Sequence, residues 1–316
     1  MFISRASYLG VVGSLFAVGG FACSSSTTTD TTTTVDGGAK DGSVADGSVA
    51  DGSVADGATD DAADAAPDTA VPSTKGGLVF IAQTKTGITY GTAAGAAIYL
   101  APAVVTGATC TSTPAGACTV SECDGTAAVA DAGAPPSAGN ITITGGLIGD
   151  AGIVLAPGTD GTYATQTGAA QVWNGGETLS VSAAGDTTGA PKFDGKTVVA
   201  PTDIAVTPPL SYVTPTNVSR TADYAFAWTG GGAGDVVVTL ATVQGSKTVS
   251  IVCRGPVSAH GITVPQAAVA KLLATSTTQL GSISAQPLND STFVDGDYAM
   301  KFSASATTLA GTMTTN

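Results

Sequence analysis

The chain has 316 residues, with 24 acids against 11 bases, a formal net charge of −13 and only 11% charged residues. It lacks the basic stripe that nucleic-acid binding needs. Its many Gly, Ala, Thr and Val residues fit exported sheet proteins better than helical enzymes. The acidity is uneven: residues 24–74 hold ten aspartates and one lysine, and the sequence from Lys75 onward is only mildly acidic.

Arg5 supplies one positive charge ahead of a small apolar run over residues 6–22. The run is too short and glycine-rich for a spanning helix. It reads as a signal peptide over residues 1–23, ending at Phe21-Ala22-Cys23 before Ser24-Ser25-Ser26. Ala22-Cys23 resembles the end of the bacterial lipobox, which makes Cys23 the acceptor for a lipid anchor. Gly20 and Phe21 depart from that pattern, and an ordinary signal peptide or an uncleaved anchor is the alternative. In lipoproteins generally, serine after the cysteine permits transfer to the outer membrane, so Ser24 points there, with the periplasmic or cell-surface face left open.

Residues 24–74 read as an unstructured acidic tether. Three copies of Asp-Gly-Ser-Val-Ala fill residues 41–55, and such units bury too little apolar surface to offset chain ordering. A five-residue period with a single valine does not match the nonapeptide calcium repeat. As a flexible coil, the tract reaches about 40 Å root-mean-square.

From Leu78 onward the pattern becomes short alternating runs between turn residues, such as residues 78–81, 140–144 and 178–182. Tyr224, Phe226 and Trp228 share one face of a strand. After Gly230 to Asp235, a returning strand carries Val236, Val238 and Leu240, and a third carries Val249, Ile251 and Cys253. These three strands are expected to form a meander. One short helix is expected near 264–275, with Thr263 as N-cap, Pro265 in the first turn and Gln266 completing a capping box. Strands are expected near residues 280–284, 298–304 and 308–313. The fold class predicted is all-β: two packed immunoglobulin-like β-sandwich units, over residues 75–207 and 208–316.

With Cys23 committed to lipid, Cys110, Cys118, Cys123 and Cys253 remain. An even count in an oxidising compartment predicts two disulfides. Each of the three connectivities joins Cys253 to the 110–123 cluster, closing a loop of about 130 residues or more and linking the halves. One local disulfide and two buried thiols is the alternative.

Catalytic signals are sparse. His260 is the single histidine; it has no Gly-x-Ser-x-Gly elbow nearby and reads as a surface-loop residue. The cysteine spacings do not suit zinc. Asp290, Asp295 and Asp297 form an acidic segment that suits an ordinary hairpin turn, more weakly a calcium loop, and more weakly still a glycosidase pair. Gly230 to Gly234 lacks the Lys-Ser/Thr of a phosphate loop. Trp228 belongs to the core pattern. Trp173 lies beside Asn174-Gly175-Gly176 and is the better candidate for an exposed ligand platform. No catalytic residue and no cofactor is assigned.

The Ala-Cys-Ser-Ser-Ser start, the Asp/Gly/Ala/Thr-rich tether and the Gly/Thr-rich β-region resemble uncharacterised secreted lipoproteins of myxobacteria. The resemblance covers the first 74 residues well and the remainder in style, and it implies no catalytic residues. The expectation is an exported, lipid-anchored cell-envelope protein acting as a non-catalytic structural or adhesive binding module. Its partners would be the membrane, through the anchor, and an envelope polysaccharide or protein ligand. The alternative is a secreted hydrolase or carbohydrate-active protein using acidic residues.

Overall fold

The computed structural model describes residues 75–99, 105–129, 135–187, 189–276 and 278–316. Residues 1–74, where the signal peptide, the lipidated Cys23 and the tether were expected, lie outside the described residues. Alternating burial builds strand after strand. In chain order these are β1 (Lys75–Thr86), β2 (Thr89–Tyr99), β3 (Val105–Ala115), β4 (Cys118–Val129), β5 (Ile141–Gly145) and β6 (Ile153–Leu155). Next come β7 (Gln166–Gly168), β8 (Thr178–Ala183), β9 (Phe193–Val199), β10 (Ile204–Thr207), β11 (Thr216–Val218) and β12 (Tyr224–Gly230). The last are β13 (Asp235–Gln244), β14 (Lys247–Pro256), β15 (Gly261–Val264), β16 (Gly281–Asp295), β17 (Tyr298–Ser305) and β18 (Leu309–Thr315). A 3-10 turn covers Val257–Ala259, and one short α-helix, α1, covers Gln266–Val269. The fold is all-β.

Among the described residues the strands form three sheets. An 11-stranded sheet runs β3-β4-β14-β13-β16-β17-β1-β2-β7, with β18 also on β16 and β11 on β18. A four-stranded sheet runs β6-β5-β8-β9 and a three-stranded sheet β10-β12-β15. Each small sheet shares a hydrophobic core with the large one. The first core joins Ile141, Leu179 and Phe193 to Val79, Ile81 and Phe302. The second joins Phe226 and Trp228 to Val238, Leu240 and Ile251.

Register places both cores on one face of the large sheet. Val79 pairs with Phe302, and Phe302 with Ser291. Along β16, Ser291, Ala285 and Ile283 point the same way. Ala285 then pairs with Val238, and Ile283 with Leu240. Cross-strand partners share a face, so the small sheets cover the same side of one continuous sheet. β16 runs under both cores.

This weave disregards the boundary expected at 207/208. β1 pairs in parallel with β17, and β4 pairs antiparallel with β14. The described residues belong to one compact unit, Ala70–Asn316. Two disulfides form: Cys110–Cys123 staples β3 to β4, and Cys118–Cys253 staples β4 to β14 with a sequence separation of 135.

Two local expectations need correction. β12 does not pair with β13; it joins β10 and β15 in the three-stranded sheet. Gly230, Gly231 and Gly234 all take positive φ, which lets the chain leave one sheet and enter the other. A Cβ on Gly231 would lie 2.0 Å from Val257 Cγ1. The Trp228 indole N–H donates to the Val257 carbonyl at 2.8 Å, pinning the crossing. The helix is also shorter than expected and begins later. Thr263 lies in β15, Pro265 is the N-cap residue, and the first helical N–H, on Gln266, donates to Asp223 Oδ1 at 2.7 Å. The cap comes from a residue distant in sequence, beyond the reach of a local capping pattern.

Candidate functional site

β16 changes partners along its length. β13 accompanies it from Ser282 to Leu288, and β17 from Leu288 to Asp295 on the other side. From Asn289 onward, among the described residues, β16 has no strand on the side that β13 has left. β9, the edge strand of the four-stranded sheet, approaches there. Between them opens a cleft of about 250 Å³, lined by Thr178, Thr197, Val198, Val199, Asn289, Asp290 and Ser291.

Backbone direction gives this cleft polar groups beside its valines. Ala306 N–H donates to the Pro287 carbonyl, so odd-numbered residues of β16 bond toward β17 and Asp290 turns its N–H and C=O outward. On β9, Ala200 N–H donates to the Glu177 carbonyl. By the same alternation, Thr197 and Val199 present their backbone groups to the cleft. Asn289 bridges one end: its Nδ2 donates to the Val199 carbonyl at 2.9 Å. A Cβ on Gly234, which has φ +104°, would lie 2.9 Å from the Asn289 side chain. That glycine therefore leaves room for the bridge.

The Asp290 carboxylate is fixed by two bases. Arg254 Nη1 and Nη2 donate to its two oxygens at 2.9 and 3.0 Å, and Lys301 Nζ lies 2.6 Å from Oδ2. Arg254 Nε also donates to Asp235 Oδ2 at 2.6 Å. Burial pushes the Asp290 carboxyl up, but the hydrogen bonds and charges of Arg254 and Lys301 outweigh it and hold it below its ordinary value. Arg254 is raised in turn, first by its hydrogen bond to Asp290.

The other acids of this segment meet different bases. Asp295 pairs with Lys196 at 3.1 Å, and Asp297 with Lys75 at 2.5 Å. The Lys75 hydrogen bond holds Asp297 low. Asp290, Asp295 and Asp297 are thus tied to bases on separate strands, with Gly296 at positive φ in the turn between β16 and β17. This is the ordinary hairpin reading. Asp290 and Asp297 are held as carboxylates, opposite to the raised pKa that a glycosidase acid needs. Among the described residues, no group of three or more His, Cys, Asp or Glu could hold a metal ion.

Trp173 is a correction to the sequence reading. It is 1% exposed and sits inside the first core, so its ring offers no platform. Its segment is anchored by the buried Gln83, whose Oε1 accepts N–H bonds from Val172 and Trp173 and whose Nε2 donates to the Trp173 carbonyl. The neighbouring Asn174-Gly175-Gly176 turn is held by Glu177, which accepts from the Asn174 and Gly175 N–H groups. Trp228 is buried, as its alternation with Tyr224 and Phe226 suggested, and His260 is exposed. The sequence reading missed Arg254, Asn289 and the β9 edge. Only the acidic run itself signalled this region.

No known family matches the chain, and no curated protein is significantly similar to it. Among the described residues, no helix is long and apolar enough to cross a membrane.

Proposed function

We propose that this chain is an exported envelope lipoprotein, anchored through Cys23, whose β-region is a non-catalytic binding module. In this reading the two cores are two immunoglobulin-like sandwich units that share β16, held away from the membrane by the acidic tether. The likeness to secreted myxobacterial lipoproteins belongs to the same reading. The observation that carries the binding role is the cleft between β9 and β16. Its lining includes the hydroxyl residues Thr178, Thr197 and Ser291, strand-edge backbone that no strand pairs among the described residues, and Asn289, whose amide also bridges to the Val199 carbonyl. Asp290, the acid beside it, is neutralised by Arg254 and Lys301. Such a lining suits an uncharged ligand rich in hydroxyl and amide groups, and an N-acetylated glycan of the envelope has both.

Calorimetric titration of the full chain with soluble oligomers of N-acetylglucosamine tests the cleft. Binding is expected, with about tenfold loss in Thr197→Val/Ser291→Ala, corresponding to about 1.4 kcal/mol. Absence of binding, or binding unchanged in that variant, overturns the assignment. Mass spectrometry of the mature N-terminus tests the anchor: an unmodified Cys23 removes it.

A further inference from the structure

We propose that the outer edge of β3 is a self-association edge, on which two copies of this chain pair antiparallel along residues 108–112. β3 is the last strand of the large sheet, and among the described residues no strand pairs with its far side. The direction of its backbone groups follows from the register. Arg254 N–H donates to the Ala117 carbonyl at 3.1 Å. The adjacent pair, Cys118 and Cys253, is therefore a non-hydrogen-bonded one, in keeping with its Cα separation of 3.9 Å. Counting along β4, Cys123 gives its N–H and C=O to β14 and cannot give them to β3. Its partner Cys110, 4.1 Å away between Cα atoms, turns its own groups outward. The same parity turns out the N–H and C=O of Ala108 and Ser112.

This edge lacks the charges that commonly protect an edge strand. No residue from Val105 to Ala115 is charged, and the strand is exposed from Thr109 to Pro114. The register shift at Gly107 ends the regular ladder on one side. On the other, Pro114 lacks the N–H that would continue the outward row. The stretch between is held to β4 by Cys110–Cys123.

A second copy suits this stretch because the outward-facing row is symmetric about Cys110. With Cys110 opposite Cys110, each Ala108 meets a Ser112, giving about six N–H···O bonds. Each Thr109 then lies across from a Thr111, a favourable hydroxyl pair. No like charges oppose each other. So short a ladder buries well under the roughly 1,200 Å² of a standard interface, so the dimer is weak, with half-association at about 100 µM.

Sedimentation of the full chain across that concentration range, with amide hydrogen exchange alongside, tests this. Sedimentation is expected to rise toward a dimer while exchange at Cys110 and Ser112 slows several-fold. Ser112→Pro removes only an outward N–H, so it is expected to keep its Tm and stay monomeric. Ser112→Lys, which adds charge without touching the backbone, is expected to do the same. A chain monomeric throughout, association without protection at 108–112, or a folded Ser112 variant that still dimerises overturns the proposal.

Discussion

Asp290, which the sequence places in an acidic turn segment, is an electrostatic fastener in the fold. Its side chain is 14% exposed and accepts from Arg254 and Lys301. Its folded pKa lies below the ordinary value. The stability from this pairing is therefore fully present above the unfolded carboxylate value, about 3.9. It is lost as pH falls through the lower folded value. Asp290→Asn is expected to lower stability at pH 7 by about 1 kcal/mol, allowing for the partial exposure of both bases. At pH 3 the difference is expected to shrink. Urea unfolding at the two pH values checks this, with a gap that stays constant counting against the pairing. Glu177 and Asp297 are also held low, so some acid sensitivity is expected to remain. The acidic run was legible as a turn; the bases could not be seen, because Arg254 and Lys301 arrive from other strands.

At the scale of elements, legibility followed the locality of the cause. β5, β8 and the β13–β14 hairpin announce themselves through alternation and turn residues. The sequence pattern shows β16 only near residues 280–284, because Pro287, Asn289 and Asp290 interrupt its alternation. Pro287 is tolerated because its carbonyl, and so the side where an N–H would point, faces the gap between the β18 and β17 pairings. The helix gives a sharper contrast. A helix of one turn has little stability of its own, and its first N–H is satisfied by Asp223. Asp223→Ala is expected to cost about 1 kcal/mol, whereas Thr263→Ala, at an exposed position in β15, is expected to be near neutral. Thermal unfolding of the two variants checks it; an equal loss in both would restore the local cap.

For the whole molecule, the question is whether the halves are joined by a bond or by the fold. The cysteine count predicted a covalent link, and Cys118–Cys253 provides it. Its long loop is worth about 5 kcal/mol in the chain-entropy model. The sheet supplies a second link that composition could not reveal: β1 and β2 extend it beside β17, and β4 lies beside β14. Each core takes residues from both expected halves, 75–207 and 208–316, and such non-local pairing leaves no trace in local periodicity. Tyr212 and Val213 are 71% and 90% exposed on the loop between β10 and β11, a suitable site for a single chymotryptic cut. After that cut, denaturing gels are expected to show one species without reductant and two fragments with it. In native buffer with reductant, the fragments are expected to co-elute as one particle, since parting them would tear the β1–β17 and β4–β14 ladders and open both cores. Two independent units on a linker would separate at that step. Elution of separate folded fragments would mean that the disulfide, and not the shared sheet, holds the halves together.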